Sequence, residues 1–363
     1  MSKVEKMTIL IPSLEPDEKL VPYIKTLLAK GFSDILVIDD GSGEKYAQVF
    51  QEIDQLKGCH VLHHHQNKGK GCALKTGYAY LEERGNCDGV ITVDSDGQHT
   101  LQDVWKIAEE MAKGEKALFL GSRDFTLGHV PWKSRFGNQI TSSVFWALYG
   151  AKLPDTQTGL RGFSATLLSF MKNVKGERFE YEMNVLIDCV GEGIPMIPVT
   201  IETVYENENE GSHFRAFRDS MKIYKVIVGN FFLFAGSSIL SFLIDVGLFT
   251  LFNYWFGKAY GMNQVLCIAL ATVLARVISS VFNFFMNKNV VFKKEDQKQG
   301  GVQTFTRYAL LAIGIVAVSA IGVSLLAVIG VPNTLGKVVV DTLLYFISYR
   351  VQKKWVFNHK KAQ

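Results

Sequence analysis

The chain runs through two hydrophobic rhythms. Over roughly the first 210 residues, short apolar runs alternate with stretches in which apolar residues recur every three or four positions. Met7–Ile11, Asp34–Ile38, His60–His64, Gly89–Val93 and Ala117–Leu120 read as strands. Glu18–Lys30, Tyr46–Leu56, Gly71–Arg84 and Leu101–Lys113 read as helices, two of them closed by Gly31 and Gly85. Continuous apolar strands separated by amphipathic helices predict an α/β domain with a mostly parallel sheet covered on both faces. Ligands of such sheets bind at the strands' carboxyl ends.

Beyond residue 226 the chain becomes apolar on all sides. Segments 227–252, 262–286, 308–331 and 334–352 are each long enough to cross a bilayer, about 20 residues being needed. The expected organisation is a soluble domain over 1–211, an amphipathic segment 212–226, an all-α membrane domain of four transmembrane helices over 227–357, and a basic tail 358–363. Segment 212–226 places Phe214, Phe217, Met221 and Tyr224 on one stripe and Arg215, Arg218, Lys222 and Lys225 on another, as in a helix lying among lipid headgroups. Pro131–Ala151 shows the same character, with Phe136, Ile140, Val144 and Leu148 at helical spacing.

Charge fixes the orientation. The connection 287–307 carries Lys288, Lys293, Lys294, Lys298 and Arg307, and the tail carries Arg350, Lys353, Lys354, Lys360 and Lys361. The opposite connections are nearly uncharged, so both termini and the soluble domain are expected in the cytoplasm of a multi-pass cell-membrane protein. The opening MSKVEKM–ILIP offers no signal-peptide core, which agrees. Residues 276–292 also align without gaps on 341–357 at an offset of 65, so the membrane domain reads as two tandem helical hairpins. Asp245, Arg276 and Asp341 are intramembrane charges, and the repeat sets Arg276 opposite Asp341 as its expected partner.

Composition agrees with this division. Forty-eight per cent of residues are hydrophobic and 20% charged, with a mean hydropathy of +0.12, which excludes a simple cytosolic enzyme. The 25 Phe and 13 Tyr exclude disorder. A net charge of +4 is too small to argue for nucleic acid and suits a surface against anionic lipid. The five cysteines have no metal-binding spacing and read as free thiols. Three successive histidines, His63–His65, alternate faces along a strand and cannot converge on a metal.

Candidate chemistry sits at the predicted strand ends. Asp39-Asp40-Gly41-Ser42 follows one strand; carboxylates there can accept from base N–H groups and ribose hydroxyls. Asp94-Ser95-Asp96-Gly97-Gln98 follows another; alternate carboxylates can share a divalent ion that neutralises a diphosphate leaving group. Together these resemble the family 2 glycosyltransferases of the GT-A nucleotide-sugar-binding fold. Ile9–Pro16, Asn67–Leu74, Gly121–Arg123, Arg135 with Asn138, and Asp155–Phe163 are similar to the dolichyl-phosphate-mannose synthase and bactoprenol glucosyltransferase branch, over residues 7 to about 225. The membrane part resembles the GtrA-like four-helix domains.

The resemblance implies a role for each matching residue. Pro12, Ser13, Glu15, Asp40, Ser42, Lys70, Asp94, Ser95, Asp96 and Arg218 would bind the nucleotide-sugar donor. Asp94, Asp96 and Gln98 would hold Mg²⁺ or Mn²⁺. Arg123, Arg135 and Asn138 would grip the phosphate of a polyprenyl acceptor such as undecaprenyl phosphate. Asp96, Arg123, Arg135 and Asp155 would carry catalysis, with Asp155 and Glu182 as candidate bases. A phosphate monoester is already ionised near neutral pH and needs no base. The expected activity is inverting transfer of a hexose, UDP-glucose first, for cell-wall polysaccharide or teichoic acid glycosylation. The alternatives are a GDP-mannose-dependent synthase and a lipid-linked-sugar translocator with an accessory nucleotide-sugar domain. The sequence leaves oligomeric state open, although short four-helix membrane modules often form homo-oligomers.

Overall fold

A computed structural model describes residues 6–125, 132–202, 216–261, 263–292 and 301–357. The chain divides into two compact units, Met1–Ile227 and Val228–Gln363.

The first unit runs β1 (Met7–Ser13), α1 (Leu20–Lys30), β2 (Ile35–Asp39), α2 (Ala47–Asp54), β3 (Cys59–His63), α3 (Lys70–Arg84), β4 (Gly89–Thr92), α4 (Leu101–Ala112), β5 (Leu118–Arg123), α5 (Trp132–Tyr149), β6 (Arg161–Ser164), α6 (Leu168–Asn173), α7 (Glu180–Glu192) and β7 (Met196–Ile201). The strands form one seven-stranded sheet in the order β3-β2-β1-β4-β6-β5-β7, with β3 and β7 outermost. β1, β2, β3 and β4 pair in parallel, as do β5 and β7. β6 runs antiparallel to both β4 and β5, which leaves those two pointing the same way. The ends of β2, β4 and β5 therefore share one sheet edge, the GT-A arrangement.

The central strands β1, β2 and β4 are buried along their whole length because helices cover both faces. Ile9, Ile11, Ile35, Val37 and Ile91 pack against Leu20, Ile24 and Leu27 of α1 and Val104, Ile107 and Ala108 of α4. Each such side chain contributes about 1.5–3 kcal/mol by leaving water. On the other face α3 comes so close that a Cβ on Gly77 would lie 2.9 Å from a methyl of Leu10. β7, by contrast, is half exposed, with Pro198 on the surface.

The second unit holds most of α8 (Ala216–Tyr260), then α9 (Gln264–Met286), α10 (Gly301–Val328) and α11 (Asn333–Val351). Among the described residues, three helical stretches are long and apolar enough to cross a membrane: Met221–Lys258, Gln264–Val291 and Gly301–Leu326. α11 is a helix where a fourth crossing was expected, but Lys337, Asp341 and Arg350 lower its apolarity and it falls short of that measure. α9 buries Cys267, Ala271, Ala275 and Ser279, one small residue every fourth position, a seam that permits close helix approach.

The internal repeat is visible in the structure. Each half ends in a π turn, Asn287–Val291 and Gln352–Val356. The equivalent residues Asn287 and Gln352 hydrogen-bond to each other at 3.0 Å, and Phe292 stacks on its equivalent Phe357 at 5.1 Å. Ser237 and Asn283 complete the amide cluster around Asn287. The expected pairing of Arg276 with Asp341 does not form. Arg276 pairs with Asp245 at 3.0 Å, and Asp245 also accepts from Ser279. Asp341 pairs with Lys337 at 2.7 Å and accepts from Ser319. Equivalent residues meet at the π-turn ends; about three turns away each charge finds a partner nearer its own position in the chain.

Candidate active site at the strand carboxyl edge

The corner after β2 is tied together by Asp39 and Asp40. Gly41 turns it at φ 78°, where a Cβ would lie 2.6 Å from the backbone N of Asn67, so only glycine fits. Ser42 donates its N–H to Asp39 and accepts from the N–H of Glu15 at 2.8 Å. Glu15 itself sits at φ 47°. Pro12 and Ser13 end β1 alongside, with the Ser13 hydroxyl buried and unpartnered. Asp40 is buried and accepts from the N–H groups of Lys68 and Gly69 at 2.9 and 2.7 Å, with His64 Nδ1 at 2.7 Å. It thus positions the loop that opens α3, and its room for a nucleoside is what those three contacts leave. The histidine run is explained here: His63 lies in register with Asp39 and bonds to it, and His64 links Asp40 to Thr76.

The Asn67–Leu74 segment delivers Lys70 to the other acidic corner. Gly69 and Gly71 are glycines because the 177–181 backbone crosses over them; a Cβ on Gly71 would lie 2.6 Å from Tyr181 Cβ. Lys70 Nζ sits 2.6 Å from Asp94 Oδ1 and 3.0 Å from Glu182 Oε1. His99 Nε2 lies 3.5 Å from Asp94 Oδ2. Burial opposes the Asp94 charge, but the Lys70 ammonium and His99 outweigh it and hold that carboxyl well below the usual range. Asp96 is pushed upward by burial and by the charge of Asp94. Its carboxylate accepts from the N–H of Gln98 at 3.0 Å. Ser95 lies between them, half-buried.

The residues present fit a divalent cation. The carboxylates of Asp94 and Asp96 lie close enough to feel each other's charge, and Nδ1 of the buried His99 lacks a hydrogen-bond partner. Among the described residues no three His, Cys, Asp or Glu side chains converge tightly enough to hold a metal alone. That suits an Mg²⁺-like ion, which takes one or two carboxylates and completes its shell with phosphates and water.

At the end of β5, Arg123 donates to Asp155 through Nε at 2.7 Å and a terminal nitrogen at 3.2 Å. Asp155 has no exposed side-chain surface and also accepts from Gln157 N–H, so it orients Arg123 from behind. Arg123 itself stays partly open and lies against the Phe125 ring. Asn138 is buried: it donates to Pro154 O at 2.6 Å and accepts from Thr156 N at 3.2 Å, which fixes the 154–158 loop on α5. Arg135 is exposed one turn earlier on α5. Arg218 falls in the first turn of α8, and its side chain lies outside the described residues, as do residues 212–215 of the expected amphipathic segment. Phe136, Ile140 and Trp146 make an exposed apolar stripe on α5, whose Tyr149 donates to Ile227 O in α8 at 2.8 Å.

Several participants carry no clear signal in the sequence. His99 stands three residues past the D-x-D, with no pattern that marks it for the site. Tyr23 brings a buried, unpartnered hydroxyl from α1, raised in pKa by burial and by Asp94 and Asp96. Arg161 donates to Thr158 O at 3.0 Å and Glu182 O at 2.8 Å, tying the 154–160 loop to the first turn of α7.

A mostly parallel sheet with paired acids at one edge, followed by apolar helices, is the organisation the sequence led one to expect of a membrane-bound transferase. Residues 8–173 match Glycosyl transferase family 2, and residues 234–357 match the GtrA/DPMS transmembrane domain. The chain thus joins a family 2 glycosyltransferase domain to a GtrA/DPMS membrane domain, and it is a glycosyltransferase. It is 24% identical to "Glycosyltransferase AglJ" of Haloferax volcanii over 82% of this chain and 98% of that one. It is 26% identical to a "UDP-N-acetylglucosamine--dolichyl-phosphate N-acetylglucosaminyltransferase" of Methanococcus voltae, over 54% of this chain and 85% of that one. It is 29% identical to "Uncharacterized protein MJ1222" of Methanocaldococcus jannaschii, over 55% and 82%.

Proposed function

We propose that the chain transfers one hexose from a nucleotide sugar to a polyprenyl phosphate, undecaprenyl phosphate in a bacterial membrane, at the cytoplasmic face. UDP-glucose is the favoured donor, ahead of UDP-GlcNAc and GDP-mannose, and the product would serve cell-wall polymer or teichoic acid glycosylation. The observation that carries this reading is the state of the two carboxylates that could have been bases. Asp155 is committed to Arg123 and Glu182 to Lys70. An acceptor that arrives already ionised needs neither. The Methanococcus voltae relative, named for transfer to dolichyl phosphate, supports the same class of acceptor.

Arg123 presents its guanidinium to the acceptor phosphate from a bidentate seat, with Arg135 as a second contact. Lys70 meets the donor diphosphate. Asp94, Asp96 and Gln98 would hold Mg²⁺ or Mn²⁺, which supplies charge neutralisation for the departing nucleoside diphosphate. Pro12, Ser13, Glu15 and Ser42 frame the nucleoside against the Asp40 corner. Holding an anionic nucleophile in line with the anomeric carbon is then the main task, and direct displacement inverts that centre. The exposed stripe of α5 and the first turns of α8 would lie in the headgroup layer, where the acceptor's phosphate resides.

The test is radiolabel transfer from a panel of nucleotide sugars to undecaprenyl phosphate, with Mg²⁺ or Mn²⁺ and with EDTA. One labelled, acid-labile lipid lost with EDTA is the expected result. A second reading, translocation of the lipid-linked sugar, draws on Arg276, whose side chain is 68% exposed midway along an apolar helix. Absence of transfer from every donor, with nucleotide binding intact, would favour it.

A further inference from the structure

Lys70 occupies an unusual place for a residue assigned to the donor. Its ammonium is 2.6 Å from Asp94 Oδ1, an oxygen the divalent cation would use. The other oxygen of Asp94 faces His99 and abuts Gly159. Two cations on Oδ1 repel each other, and the repulsion is strong because Lys70 is mostly buried. Yet Lys70 has a second seat, Glu182, 3.0 Å from the same nitrogen. Its backbone cannot yield, since Gly69 and Gly71 are wedged under residues 177–181. The side chain can, having four rotatable bonds.

We propose that Lys70 is a displaceable counter-cation. In the donor-free protein it neutralises Asp94; a nucleoside diphosphate draws it away, with Glu182 guiding the swing, and only then is Asp94 open to the divalent ion. Donor and cation binding are thereby coupled through one side chain, and the free protein is protected from loading metal without donor. This rests on the proposed donor site.

The experiment is Mn²⁺ binding to the full chain in detergent, read from the electron paramagnetic resonance of free Mn²⁺, with and without UDP or GDP. Wild type is expected to bind Mn²⁺ weakly alone and more tightly with nucleotide. Lys70→Met is expected to tighten nucleotide-free Mn²⁺ binding, by a factor in the usual range of site coupling, about 5–150-fold, while weakening UDP binding. Adding Asp94→Asn to Lys70→Met should abolish that tightening. Glu182→Gln acts in the opposite direction: it leaves Lys70 with Asp94 alone and weakens nucleotide-free Mn²⁺ binding, so the idea stays testable if Lys70→Met fails to fold. Unchanged or weaker Mn²⁺ binding by a folded Lys70→Met variant that still binds UDP overturns the proposal. Wild type that binds neither Mn²⁺ nor any nucleotide overturns the donor-site reading instead.

Discussion

Gly159 allows the acidic corner to be disturbed without touching an acid. A Cβ added there would lie 2.8 Å from both Asp94 Cγ and Oδ1 and nearer still to Oδ2. The loop cannot retreat. Thr92 holds Gly159 O at 2.9 Å, Arg161 holds Thr158 O at 3.0 Å, and Gly121 N–H binds Leu160 O at 2.9 Å. Ordinary carbon contacts are about 3.5–4.0 Å, so the Asp94 carboxylate must move by about 1 Å. Gly159→Ala is then expected to cost about 1–3 kcal/mol of stability, the usual price of overpacking. Turnover should fall on the order of 100-fold, as for a reacting group misplaced by about 1 Å. Thermal denaturation, Mn²⁺ titration and a transfer assay on the same preparation separate the two effects. A folded Gly159→Ala protein with wild-type Mn²⁺ affinity and turnover would refute the assignment of Asp94 to the cation.

Four other outcomes follow from the geometry. Asp155→Asn should reproduce most of the defect of Arg123→Lys, raising the KM for lipid phosphate well above tenfold while leaving the nucleotide KM within about twofold, because both changes remove the bidentate seat; parallel steady-state kinetics decide this. Asp40→Ala leaves the buried Gly69 N–H, the partly buried Lys68 N–H and His64 without their acceptor and should lower stability by about 1–3 kcal/mol, seen as a lower Tm. Burial raises the thiols of Cys59 and Cys189 to about 11 and about 12 and also raises Cys72 and Cys87. Their thiolate fractions at pH 8 are therefore below that of an ordinary cysteine, and iodoacetamide should label the native soluble unit slowly, starting at half-exposed Cys72; rapid labelling of Cys59 would contradict the packing. In the membrane unit, the swap Asp245→Arg with Arg276→Asp should restore expression lost in either single change, whereas a swap between Arg276 and Asp341 should not.

The sequence makes the sheet centre plain and its far side obscure. β1, β2 and β4 are covered on both faces, so their residues are continuously apolar and stand out. β6 reads Arg161-Gly-Phe-Ser: its arginine is buried for bracing and its glycine leaves room for α4, so neither looks like strand. The D-x-D and the D-D-G-S corner are local and legible. Glu182 and the motif containing Gly159 stand out in the sequence, but their closeness to Asp94, and that of Tyr23, comes only from the fold. The Arg276–Asp341 expectation failed for a related reason. Repeat alignment gives equivalence of position, not contact; equivalents do meet at Asn287–Gln352 and Phe292–Phe357, but Arg276 and Asp341 each find another partner.

The sheet's outer strands bear on how this protein survives before it reaches a membrane. An open strand edge invites other chains to add to it. β7 offers Pro198, which has no N–H to give, and surface Thr200. β3 offers a short five-residue run with two histidines and little continuous apolar surface. A newly made chain that must carry its apolar helices to a bilayer therefore presents poor templates for cross-strand aggregation at the two ends of its sheet.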